Sequence, residues 1–113
     1  MESRLNLKHF NKTELADMLR NKEQDIEVLI NSYFQEIYGF IKKLRQSAKS
    51  QDKEMFLRYA RKTAVASKSV CFEIMHVLAL ELEDCDLNSQ SKVLDCIDDM
   101  ENELEIVKDI LGR

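Results

Sequence analysis

Residues 56–83 read FLRYARKTAVASKSVCFEIMHVLALELE, with neither glycine nor proline among them. Phe56, Tyr59, Ala60, Thr63, Ala66, Ser67 and Val70 follow one another at helical spacing, which lines one face of an α-helix. Phe72, Met75, Leu78, Ala79 and Leu82 continue the period. The first face is the less apolar, and its small residues would let a neighbouring helix pack closely. Ser67-Lys68-Ser69 is a weak break signal. Periodicity alone leaves open whether the stretch forms one helix or two.

Working outward, the same period extends over most of the chain. Thr13 to Arg20 reads as a short helix with Leu15, Ala16 and Leu19 on one side. Asn21 precedes Gln24 with capping-box spacing, which predicts the start of a second helix. Ile26, Leu29, Ile30, Tyr33, Phe34, Ile37, Phe40, Ile41 and Leu44 form its apolar stripe. Gly39 lies inside that helix at a cost of about 1 kcal/mol relative to alanine. Close helix contact is one reason to keep it, and incidence is the other. Gln46 to Gln51 reads as a polar connection, with Asp52 as an N-cap. Asp84 to Asn88 reads as a turn. The last helix carries Val93, Leu94, Ile97, Met100, Leu104, Val107 and Ile110–Leu111, and Gly112 suits its end. Phe10 is placed to pack a lead-in segment against one end. Connections this short favour antiparallel neighbours. The expectation is an all-α chain: an antiparallel up-down four-helix bundle with a short extra N-terminal helix, forming one domain over 1–113.

The chain has 113 residues, no proline, and glycine only at positions 39 and 112. So few turn formers argue against a sandwich or barrel. No apolar run approaches the roughly 20 residues of a membrane span, and MESRLNLKHF lacks the apolar core of a signal peptide. Cys71, Cys85 and Cys96 then read as reduced thiols of a cytoplasmic protein. With no CxxC pair and only His9 and His76 available, zinc spacing is missing. The net charge of −4 gives no global sign of nucleic-acid binding. Its distribution is uneven. Residues 42–68 hold nine Lys/Arg against two acids, whereas residues 69–113 hold three against twelve.

The segment Ala60-Arg61-Lys62-Thr63-Ala64-Val65-Ala66, followed by a leucine-rich helix ending in Leu82-Glu83, resembles the two central helices of a histidine phosphotransfer (HPt) domain. That family's motif is roughly A-H-x-L-K-G-[SA], and its four-helix module relays phosphoryl groups in two-component signalling. The resemblance runs over nearly the whole chain. It places Asp52 at the opening of the acceptor helix, and Phe56, Tyr59, Ala60, Thr63 and Val70 at packing positions. Met75, Leu78 and Leu82 fall on packing positions of the next helix. It also places Arg61 at the phospho-acceptor position. Neutral imidazole offers a lone pair to a phosphoryl group. Arginine is permanently protonated and only donates. The family's lysine three residues on is Ala64 here, its glycine four on is Val65, and its glycine ten on is Cys71. The resemblance therefore implies a phosphorelay protein without a catalytic residue or cofactor: a pseudo-HPt that docks a receiver domain or histidine kinase without carrying phosphate. The alternative is a structural or scaffold helical bundle unrelated to phosphorelay. No convergent acid–base or nucleophile set supports an enzyme.

The residues themselves supply a candidate docking face. Leu57, Arg61, Ala64, Val65 and Lys68 share one helix side, flanked by Arg58 and Lys62. Tyr38, Lys42 and Arg45 are placed to extend it. An apolar centre with a basic rim suits an acidic partner, and the plainer reading is a solvated helix face. His76 follows Arg61 by fifteen residues, about 22 Å along an unbroken helix, and reads as a rim histidine. His9 falls in a leading segment expected to be mobile. Glu73–His76 has E-x-x-H spacing without the partner ligands of a di-metal bundle. Asp98, Asp99, Glu101, Glu103 and Glu105 read as a solvated acidic face. Cys71 beside Lys68 reads as a packed thiol, with a reactive one as the alternative.

Overall fold

The computed structural model describes residues 7–113. The signal-peptide reading falls mainly on residues 1–6, outside the described residues. Among the described residues all regular structure is helical: α1 (Lys12–Met18), α2 (Glu23–Ser50), α3 (Lys53–Ser69), α4 (Glu73–Glu83) and α5 (Gln90–Leu111). None of these helices is long and apolar enough to cross a membrane.

Side-chain caps start two of the helices. Asn11 accepts from the Glu14 N–H to open α1, and Asp52 accepts from the Met55 N–H at 3.1 Å to open α3. The capping box expected at Asn21 does not form. Arg20 and Asn21 are both left-handed, at φ 55° and 60°. That bend swings Asn21 out of register, so α2 starts after Lys22 without a side-chain cap.

Left-handed residues end every helix but α4. After α3 the Cys71 N–H donates to the Lys68 carbonyl and the Phe72 N–H to the Ser67 carbonyl. This is the paired bonding of a Schellman turn. The same pairing closes α1 at Arg20 and Asn21, α2 at Gln51 and Asp52, and α5 at Gly112 and Arg113. The break between α3 and α4 therefore falls at Val70–Phe72, just beyond the Ser67–Ser69 signal.

Contacts show how neighbouring helices run. Phe40 meets Tyr59 at a ring separation of 5.9 Å, and the Tyr33 hydroxyl hydrogen-bonds that of Ser67 at 3.0 Å. Partner numbers fall along α3 as they rise along α2, so the two are antiparallel. Arg45 reaches Asp98 and Glu101, while Arg113 reaches Asn31 and Glu27, so α5 is antiparallel to α2 as well.

The main core gathers Ile37, Leu44, Phe56, Phe72, Met75, Leu82, Ile97, Met100 and Leu104, all at or near zero exposure. Fully burying such a side chain stabilises by about 1.5–3 kcal/mol. The small residues of α3 do what their pattern suggested: Ala60, Thr63 and Ser67 are buried. Gly39 is different. A Cβ there would meet nothing within 4 Å, so close packing does not explain it.

The lead-in segment is tied down. The rings of Phe10 and Phe72 meet edge-on at 5.4 Å. Glu73 accepts from the Lys8 N–H at 3.0 Å and from Asn11 Nδ2 at 2.8 Å. Leu15, Ile30 and Cys71 form a second small cluster beneath this strap.

Candidate functional site

The exposed side of α3 carries four of the six sequence-predicted site residues in the open. Val65 is 70% exposed, unusual for a large apolar side chain, and Arg58, Arg61 and Lys68 are exposed around it. Leu57 is half-buried. Ala64 is a correction: at 4% exposure it belongs to the core. Helical position explains the difference, since Ala64 sits on the flank of the shared face that α4 covers when it folds back along α3.

Arg61 is not a free cation. Its Nε donates to Glu83 Oε1 on α4 at 3.2 Å. The guanidinium is largely exposed, so the pair is worth little stability, about 0–1 kcal/mol. Arg58 lies 3.7 Å from Glu54 one turn earlier. Lys62 stacks over the Tyr59 ring at 5.2 Å. Of the expected extensions, Tyr38 and Lys42 are exposed, whereas Arg45 turns to α5 and is held by Asp98 and Glu101.

Arg61 stands where three open grooves meet. One, of about 1100 Å³, lies towards the α4–α5 loop beside Leu57, Leu80 and Asp86. A second, of about 490 Å³, runs between α3 and α4 past Val65, Lys68, His76 and Leu80. A third, of about 560 Å³, lies between α2 and α3 beside Glu36 and Phe40. Leu80, 42% exposed, and Met18, 57% exposed, join Val65 around the second groove. Exposed apolar side chains gathered at one groove are a mark of interaction surfaces.

His76 lies much nearer this face than its sequence separation suggests. The reversal at Cys71 folds α4 back on α3, and His76 Nδ1 lies 2.9 Å from the Ala64 carbonyl. A carbonyl only accepts, so Nδ1 carries the hydrogen. Glu73, the other half of the E-x-x-H spacing, is taken up by Lys8 and Asn11, and these bonds hold its carboxyl below the usual range. Among the described residues no group of three or more His, Cys, Asp or Glu is placed to hold a metal.

Two further expectations change. His9 is docked: its Nδ1 donates to Glu103 Oε2 at 2.5 Å. Glu103, expected on a solvated acidic face, is 5% exposed. Burial pushes its carboxyl up, and the bond and charge of His9 pull it partly back. Its place between Met100 and Val107 in the period of α5 was the sequence signal that it faces inward. Cys71 is packed, 4% exposed, with Sγ 3.8 Å from the Met18 sulfur. Burial pushes its thiol up, with Glu14 and Glu73 adding to the shift, which disfavours the reactive thiolate.

No protein-family model matches this chain, no curated protein matches it, and no solved structure matches it.

Proposed function

We propose that the chain is an up-down four-helix bundle of HPt type, α2 to α5, with α1 as its short extra helix. In this reading it is a phosphorelay signalling protein. The exposed face of α3 docks a receiver domain or a histidine kinase, and the acceptor position, held by Arg61, carries no phosphate. The observation that carries the reading is the exposed cluster of Arg58, Arg61 and Lys68 around Val65, beside the α3–α4 groove. Such a surface complements an acidic site with an apolar surround. The backbone adds support. Cys71 stands where the resembled family has a glycine, and its φ is 59°, a conformation for which glycine is the usual residue.

The experiment is binding of purified receiver domains and kinase catalytic cores from the source organism, measured by calorimetry with Mg²⁺ present. The expected result is saturable binding to at least one of them, lost when Arg61 and Lys68 are both replaced by glutamate. Absence of binding across the set overturns the docking reading. The scaffold alternative draws on the exposed Leu94, Ile106 and Ile110 of α5. In that case the double charge reversal leaves self-association unchanged, and sedimentation reads it directly.

A further inference from the structure

Few contacts hold the lead-in segment and α1 to the bundle, and a titratable pair is among them. Leu15 is the one buried side chain of α1, a small apolar hold. Polar bonds supply the rest. Glu73 of α4 accepts from the Lys8 N–H and from Asn11 Nδ2. The Asn11 N–H donates to the Cys71 carbonyl at 2.9 Å, and the Ile74 N–H to the Lys8 carbonyl at 3.3 Å. His9 Nδ1 donates to Glu103 Oε2 of α5 at 2.5 Å. This last pair is unevenly buried: the His9 side chain is 40% exposed and that of Glu103 6%. Water reaches the ring, whereas the carboxyl is shut in beneath it. Among the described residues His9 is the charged partner of Glu103, and no ionisable group of α3 or α4 adds to it. From α2 it is faced by Tyr33, whose hydroxyl is engaged with Ser67.

We propose that the lead-in segment and α1 form a strap latched by the proton-carrying His9–Glu103 pair, and that the strap opens as pH rises through neutrality. Imidazole is the side chain that changes charge between about pH 5 and 8. A charged ring offsets the buried carboxylate. A neutral ring leaves it shut in with a weaker donor, and lifting the strap returns it to water. Glu103 itself has the same sign. Burial under the strap pushes its carboxyl up, so the closed state holds the proton more tightly, and closure weakens as pH rises. Glu73 has the opposite sign. The bonds from Asn11 and Lys8 hold its carboxyl below the usual range, so its hold on the strap is lost only in acid. The strap is therefore tightest in mild acid and loosest above neutrality. Opening uncovers Ile30 and Cys71, which pack on Leu15. It also takes Met18 out of the wall of the α3–α4 groove. The effect on docking rests on the docking reading, whereas the strap is measured without a partner.

Amide hydrogen exchange on the full chain tests this, each rate divided by that of an unstructured chain at the same pH. The Asn11 and Ile74 amides report the strap, since their acceptors lie across it. Their protection should fall about tenfold between pH 6 and 8, within the limit of tenfold per pH unit for one linked proton. Protection of Ile97, buried in α5, should hold. Flat or rising protection at Asn11 and Ile74 overturns the proposal, and so does an equal fall at Ile97, which marks unfolding of the whole bundle. Glu103→Gln should keep the strap shut at both pH values, with helical content checked by circular dichroism. His9→Gln changes the exposed partner and should show at pH 6 the low protection of the parent at pH 8. A parent-like fall in Glu103→Gln, or parent-like protection at pH 6 in His9→Gln, overturns the role of the pair. Alkylation of Cys71 reads the same opening by peptide mass, normalised to the urea-unfolded chain. It should rise about tenfold from pH 6 to 8 in the parent, and a level rate overturns the proposal. A level strap with a receiver still bound overturns this proposal alone, and an opening strap without receiver binding overturns docking alone.

Discussion

Cys71 offers a direct test of the bend that brings α4 back along α3. Its φ is 59°, and a left-handed conformation costs a residue with a Cβ about 1–2 kcal/mol. Glycine escapes that cost but has more freedom to lose on folding, about 0.4–1 kcal/mol relative to alanine. Cys71→Gly should therefore be more stable than Cys71→Ala by about 1 kcal/mol. Both variants lose the thiol, whose packing on Leu15 and Ile30 is common to the two and cancels in the comparison. In an ordinary helix interior the order reverses, with alanine ahead by about 1 kcal/mol. Gly39 supplies that control. It lies inside α2 with open space at its missing Cβ, so Gly39→Ala should stabilise by about 1 kcal/mol. Urea unfolding followed by far-ultraviolet circular dichroism reads all three variants. At a slope of about 2 kcal/mol/M the expected midpoint shifts are about 0.5 M. If Cys71→Ala equals or exceeds Cys71→Gly, the left-handed bend is not there. The antiparallel α3–α4 hairpin, and with it the approach of His76 to Ala64, would then fail.

Further outcomes follow from other groups. Glu103 has a carboxyl raised by burial. The folded state therefore holds its proton more tightly than the unfolded chain, and the stability it contributes is present at low pH and lost as pH rises through the folded value. Parent protein should lose stability relative to Glu103→Gln between about pH 4 and neutrality, read by urea midpoints across that range, and the opposite trend would refute the burial of Glu103. Asp52→Ala should cost about 1 kcal/mol by removing the cap of α3, read as a lower thermal midpoint. Arg20→Gly relieves an exposed left-handed residue at φ 55° and should stabilise by about 0.5–1 kcal/mol after the entropy of glycine is counted. A loss of stability on that change would contradict the turn between α1 and α2.

The helices were legible because buried and exposed residues alternate with the helical period over long runs. Ile30, Tyr33, Ile37, Ile41 and Leu44 face the core as read, and so do Val93, Ile97, Met100, Leu104 and Val107, whereas Leu94 of the same set is exposed. The turns were harder, for a physical reason. Four left-handed helix ends occur among the described residues, and glycine occupies only the one at position 112. Arg20, Gln51 and Cys71 adopt the same conformation without the residue that usually announces it. Packing and the paired turn bonds hold them there, and neither leaves a local composition signal. Asn21 looked like a cap for the same reason: its side chain fits one, but the preceding left-handed bend is set by how α1 meets α2.

The candidate site inherits this problem. Distance along one helix put His76 about 22 Å from Arg61, and that arithmetic holds only if residues 53–83 are continuous. One left-handed residue at position 71 cancels it, because an antiparallel return pairs positions about equally distant from the bend. Ala64 lies seven residues before Cys71 and His76 five after it, and they meet at 2.9 Å. The same return buries Ala64, removing it from the docking face, and sets Glu83 against Arg61. Three features of the site that the linear reading missed thus have one cause. It follows that a change straightening the bend should disturb them together: His76 loses its fixed tautomer, Ala64 becomes exposed, and Arg61 is released from Glu83. A local disturbance at any one of them should leave the other two in place.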